Sequence, residues 1–203
     1  MYDSALYPQD PAAAEAFVQG QRHGTLIAAA PDGFPQASIL PFVKTGDLIE
    51  LHCVQEDPTF AALQANPSAT FLVSDFLAFT RHDWIEPLNA ARATLNFRAV
   101  LYECTAELST NPDDVAAAMA RLLADYEPDA EYRPIVNDDF YGSRLKRLAT
   151  IRLHIKNTQS KFKVGPTAPV EAKREVIRHL RERNEPNDQR AADVIEAYLA
   201  GVD

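Results

Sequence analysis

The sequence predicts an α+β fold, a β-barrel of about six strands with peripheral helices. Three observations carry that reading. Two short apolar runs, Thr25–Ala30 and Gln36–Val43, flank Pro31-Asp32-Gly33-Phe34-Pro35, which is turn chemistry for a hairpin. A third run, Leu48–Val54, is followed by a Pro-started amphipathic stretch and a return run at Ala69–Val73, the order in which a small antiparallel barrel begins. Further on, Leu95–Ala106 and Thr150–Thr158 read as alternating strands, with an amphipathic helix between them.

In chain order, residues 10–22 place Ala14, Phe17 and Val18 at helical spacing after an Asp-Pro start, and Gly24 ends the turn that follows. Leu48–Val54 alternates less cleanly, as a strand buried on both faces does. Asp57-Pro58 starts a helix through Phe60, Leu63 and Ala65 that Asn66-Pro67 stops. Leu77–Trp84 continues the strand at Ala69–Val73 or forms another, and residues 86–93 form a loop. Asn111-Pro112-Asp113-Asp114 opens a helix through Val115, Met119 and Leu122 that ends near Glu127-Pro128. A polar connection and a short helix at Tyr141–Leu148 precede the Thr150 strand, and two helices, from Val170 and from Gln189, close the sequence. The domain organisation expected is a split barrel with inserted helices over 1–168 and a helical extension over 169–203.

Composition narrows the function. A chain of 203 residues can bury one sizeable core with an appendage. Its 20 Lys+Arg stand against 29 Asp+Glu, a net charge of −9, so most of its surface repels nucleic acid and direct DNA binding is disfavoured. No apolar run approaches the ~20 residues of a membrane span. The first residues have neither the basic nor the apolar part of a signal peptide. Cys53 and Cys104 lie far apart without a CxxC or Cys/His cluster, so no metal site or disulfide framework is indicated. A cytoplasmic, reducing setting is expected.

Several segments then line up with one family. MYDSALYPQD, GTLIAAAPDGFPQASILPF, HCVQEDPTF, AFTRHDW, TLNFRAV and KFKV followed by REVIRHL occur in the order found in PaiB-like proteins. The chain resembles these FMN-binding negative transcriptional regulators, which share the split barrel of pyridoxamine-phosphate-oxidase-like flavoproteins. The resemblance implies FMN, or another small anionic ligand, held at a homodimer interface, with donors for its phosphate from the second strand, the turn after the third and the next helix start. It implies Ser38, Leu40, Pro41, His52, Gln55, Thr59, Thr80, Trp84, Asn96, Lys161 and Lys163 as cofactor-binding positions. The chain departs from the pattern at Ile39, at Leu95, at Val164-Gly165-Pro166-Thr167, and at Gln55 and Asp57, where the family carries Arg and Asn.

Each implied role stands beside a structural one. His52 is a flavin contact or a strand-end histidine satisfied by backbone. Trp84 covers a flavin ring or fills a core or dimer interface. Asn96, in Leu95-Asn96-Phe97, needs a partner, which is a flavin edge or a backbone group. Lys161 and Lys163 share one strand face as edge-protecting or anion-binding lysines. Arg81-His82-Asp83 forms a polar cluster without the context of a hydrolytic triad, and no catalytic acid or base is picked out. The reading that leads is a flavin-binding homodimer with a regulatory or redox role. The alternative, prompted by Gln55–Asp57, is a flavin-free binding or interaction protein.

Overall fold

Antiparallel pairing organises the sheet from its first hairpin. Strands β1 (Gly24–Ala29) and β2 (Pro35–Leu40) pair with Thr25 opposite Ile39 and Ile27 opposite Ala37. The turn between them reverses at Gly33, whose φ of 88° is open to glycine at no steric cost. The computed structural model describes Tyr7 and residues 9–200; the MYDSALY segment lies, apart from Tyr7, outside the described residues.

The run expected as one strand through Val43 is interrupted. Pro41 has no N–H to continue a ladder, so Val43–Thr45 becomes a separate strand, β3, which turns at Gly46 and pairs with β4 (Leu48–Val54). The later strands are longer than the sequence predicts. Strand β5 (Ser68–Thr80) fuses two expected runs, β6 spans Thr94–Ser109, and β7 spans Leu148–Lys163. Hydrogen bonding orders the strands β2-β1-β5-β6-β7-β4-β3. The α+β expectation of about six strands with peripheral helices is met by a seven-stranded sheet among the described residues.

The chain packs as two units. Of the described residues, one unit comprises Tyr7, 9–11, Ser74–Val100 and 160–200; the other comprises Ala12–Val73 and Leu101–Gln159.

The second unit contains the hairpin, β3, β4 and helices α1 (Pro11–Gln19, from Ala12 on), α2 (Pro58–Ala65), α3 (Pro112–Tyr126) and α4 (Gly142–Leu145). Leu26, Ile49, Leu51, Leu63, Phe71, Ile151 and Leu153 are fully buried in it, and the Phe42 and Phe71 rings meet edge to face at 5.2 Å. Gly24 opens β1 rather than merely ending a turn: a Cβ there would lie 2.3 Å from Phe71 Cζ, so the ring packs where any side chain would stand. Asn111 caps α3 by accepting from the Asp113 N–H at 3.0 Å, and Asp113 and Asp114 complement the helix dipole. Inside this unit Glu50, nearly buried, receives both Arg121 of α3 and Arg152 of β7.

The first unit holds α5 (Val170–Arg183) and α6 (Asp188–Ala200). Leu77 and Ala78 of β5 pack with Val176, Ile177 and Leu180 of α5 and Ala191, Ala192 and Ile195 of α6. Asn184, at φ 53°, stops α5 in a left-handed cap. Arg183 then reaches the almost fully buried Asp188 through two bonds of 2.7 and 2.6 Å. Among the described residues no helix is long and apolar enough to cross a membrane.

Candidate functional site

The expected phosphate donors meet around α2, inside the second unit. Asp57 caps the helix: its Oδ1 accepts from the Thr59 N–H at 2.8 Å, and Pro58 supplies the preset first helical φ. The Ser38 hydroxyl of β2 lies 3.0 Å from both carboxylate oxygens of Asp57 and 2.6 Å from Thr59 Oγ1. Ser38 has one hydrogen to give. It goes to the carboxylate, while the Thr59 hydroxyl donates to Ser38. The backbone N–H of Phe60 is taken by the Asp57 carbonyl at 3.0 Å. The structure therefore brings Ser38 and Thr59 together around a carboxylate of the chain itself.

Gln55 faces a different task. Its amide donates to the carbonyls of Lys146 at 3.0 Å and Leu148 at 2.9 Å, and its backbone N–H donates to the Arg147 carbonyl at 2.9 Å. Both side-chain hydrogens are thus used in fastening the β4–α2 turn to the start of β7. Leu40 ends β2, and Pro41 separates it from β3.

His52 stands opposite Thr150 in the β4–β7 register. Strand alternation puts it on the face of Glu50, which meets Arg121 of α3, and not on the face of Cys53. Burial holds its pKa below the ordinary value, so the ring is neutral at neutral pH. Thr150 beside it is fully buried, and its hydroxyl has no partner among the described residues. Cys53, on the other face, has its thiol pushed up to about 12, first by burial and then by the charge of Asp57.

The remaining expected residues lie in the first unit. Asn96 is fully buried; its Nδ2 donates to the Ala78 carbonyl at 3.1 Å and to Thr80 Oγ1 at 2.8 Å, and its Oδ1 accepts from the Gly165 N–H at 2.9 Å. Thr80 and Asn96 are thereby brought together, with both amide hydrogens of Asn96 in use. Trp84 stacks on His179 of α5 at 5.1 Å and 15°, and the Arg183 guanidinium sits 4.9 Å from its ring centre. Arg81 pairs with Asp83 through bonds of 2.9 and 2.7 Å, a closed surface pair. Lys161 Nζ lies 5.9 Å from the Tyr7 ring, and Lys163 ends β7. A cavity of about 410 Å³ opens beside that strand end, walled by Tyr7, Phe162, Gly165, Lys173 and Tyr198.

An FMN phosphate is close to a dianion and is held by free donors and cations. Around α2 the donors are already paired, Asp57 adds a negative charge, and no ion pair neutralises that charge among the described residues. This seat does not fit a phosphate. Sequence reasoning placed Ser38 and Thr59 here but missed Asp57 as their partner. The signal was present, since Asp before Pro at a helix start is a capping residue whose carboxylate turns toward the first N–H groups.

Over residues 1–157 the chain matches the family described as "Putative FMN-binding domain". Among solved structures it is similar to the flavocytochrome Anf3 from Azotobacter vinelandii, at TM-score 0.65 and 19% identity, covering 82% of this chain and 74% of that one. It is similar to the FAD and heme binding protein from Mycobacterium smegmatis at TM-score 0.64 and 18% identity, with coverage of 82% and 78%. A conserved hypothetical protein from Mycobacterium tuberculosis aligns at TM-score 0.57 and 18% identity, with coverage of 80% and 91%. At these identities the likeness is one of fold. No curated protein matches the chain. The seven-stranded antiparallel sheet with flanking helices and the span of the family match agree with the split-barrel expectation. On that match the chain belongs to the FMN-binding domain family, and its cofactor is FMN or another flavin.

Proposed function

We propose that the chain is a PaiB-like split-barrel flavoprotein that works as a homodimer in the cytoplasm, with a regulatory or flavin-linked redox role. The observation that carries this is the family match over residues 1–157 on a seven-stranded antiparallel sheet. The names of the Azotobacter and Mycobacterium smegmatis proteins, a flavocytochrome and an FAD and heme binding protein, are in keeping with redox use of this fold. The homodimer draws support from β2, an edge strand that exposes Ile39 at 72% beyond a turn exposing Phe34 at 74%. Such an apolar edge is protected when a second copy covers it. Flavin, when bound, supplies hydride or single-electron chemistry, and the protein supplies binding, orientation and electrostatics.

The net charge of −9 places regulation by direct DNA contact behind regulation through a bound small molecule or a protein partner. An absorbance spectrum of the purified protein, combined with light scattering, tests the reading. Flavin absorbance near about 450 nm and a mass of twice 22.5 kDa are expected. A colourless protein that takes up no added flavin at micromolar concentration overturns the flavin reading, and a monomer overturns the dimer.

A further inference from the structure

We propose that Asp57 is an internal substitute for the flavin phosphate, so that the phosphate of FMN adds no affinity and the chain binds riboflavin at least as tightly. The proposal rests on the flavin reading above, and it follows from the destination of each donor around α2. The family resemblance implies phosphate donors from β2, from the turn after β4 and from the start of α2. In this chain the β2 donor, the Ser38 hydroxyl, points at the Asp57 carboxylate at 3.0 Å. The turn donor, the Gln55 amide, is bound to the carbonyls of Lys146 and Leu148. The helix donors, the N–H groups of Thr59 and Phe60, go to the side chain and the carbonyl of Asp57.

A carboxylate has the charge sign and the acceptor geometry of a phosphate oxygen pair. Asp57 therefore satisfies the same donors that a ligand oxyanion would need. Thr59, 2% exposed, cannot turn outward to serve a second acceptor without leaving its site. An incoming phosphate would also meet the unneutralised charge of Asp57 at short range, where like charges repel by several times their strength in bulk water. The neutral ribityl end of riboflavin meets neither obstacle.

Two substitutions separate charge from occupancy. Asp57→Asn removes the charge and keeps the group, and Asn is as good a helix cap as Asp. Asp57→Gly empties the seat, at a capping loss of only about a few tenths of a kcal/mol. Flavin-free protein is titrated with riboflavin and with FMN by quenching of flavin fluorescence, and melting is followed with and without inorganic phosphate.

The wild type is expected to bind riboflavin as tightly as FMN or more so. D57G is expected to shift the ratio of the two constants at least tenfold toward FMN, about 1.4 kcal/mol, with riboflavin affinity held within about twofold; D57N falls between. Inorganic phosphate raises the melting temperature of D57G and leaves the wild type unmoved, since a ligand stabilises only a protein that binds it. FMN bound at least tenfold more tightly than riboflavin by the wild type overturns the proposal, as does a D57G ratio equal to that of the wild type. If no protein takes either flavin yet phosphate stabilises D57G alone, the flavin reading fails and the internal anion stands. If phosphate is also without effect, both fail.

Discussion

Asn96→Ala separates a structural asparagine from a flavin ligand. In the fold Asn96 serves three buried partners, the Ala78 carbonyl, the Thr80 hydroxyl and the Gly165 N–H. Ala78, Thr80 and Gly165 are themselves buried, so water does not replace the lost group. At about 1 kcal/mol for each of the three bonds, truncation costs about 3 kcal/mol. For a chain of 203 residues, each kcal/mol lowers Tm by roughly 2–4 °C, so the loss is about 6–12 °C. Calorimetry of flavin-free protein measures it, because a structural role acts with or without ligand. The expected result is the full drop in the flavin-free protein and the same drop after flavin loading. A flavin-free Tm within about 2 °C of wild type, with a weakened flavin constant, refutes the reasoning and returns Asn96 to the cofactor.

Other outcomes follow from the same bookkeeping of partners. Gly24→Ala drives a methyl into the Phe71 ring; overpacking of this kind costs about 1–3 kcal/mol, and Phe71→Leu in the same chain is expected to recover part of the lost Tm. Glu50→Gln leaves Arg121 and Arg152 without their carboxylate and is expected to cost about 2 kcal/mol at neutral pH. Burial alone would raise the Glu50 pKa, but bonds and charge from the two arginines hold it below the ordinary 4.5. Its stabilisation is therefore complete above that value and lost as pH falls through the lower folded one. Melting curves at several pH values should show the gap between wild type and E50Q closing in acid; a gap independent of pH contradicts the ion pairing. Arg183→Ala strips the buried Asp188 of its guanidinium, and a loss of about 3 kcal/mol is expected in chemical denaturation. Arg183→Ala/Asp188→Ala should recover part of that loss, and a single variant as stable as wild type counts against it.

The fold was legible where pattern and punctuation agree. The Asp32-Gly33 hairpin, the Asp57-Pro58 and Asn111-Pro112 helix starts and the alternation around Ile151 all follow from local chemistry, and all formed. Boundaries were less legible, because Pro41 divides an apolar run that periodicity alone joins, and β5 and β7 extend beyond the residues whose alternation announced them. The site was legible as positions and not as partners. Ser38 and Thr59 stand out as hydroxyl donors in the sequence, but that they meet each other over Asp57 follows from the fold and not from local pattern. Asn96 was recognised as a buried amide in need of company, yet Gly165, 69 residues away in sequence, carries no local sign of being that company. Trp84 announced an aromatic contact; its neighbours His179 and Arg183 come from a helix whose charge pattern reads as an ordinary surface face.

The placement of Trp84 has an experimental use. It is the single tryptophan of the chain, and it is packed against His179 and Arg183 within the unit that holds α5 and α6. Its emission is therefore a native optical reporter for that unit alone, while far-ultraviolet dichroism follows the backbone of both. Superimposable denaturation curves from the two signals would mean that the units melt as one cooperative body. Curves that separate would give each unit its own stability without the introduction of any label.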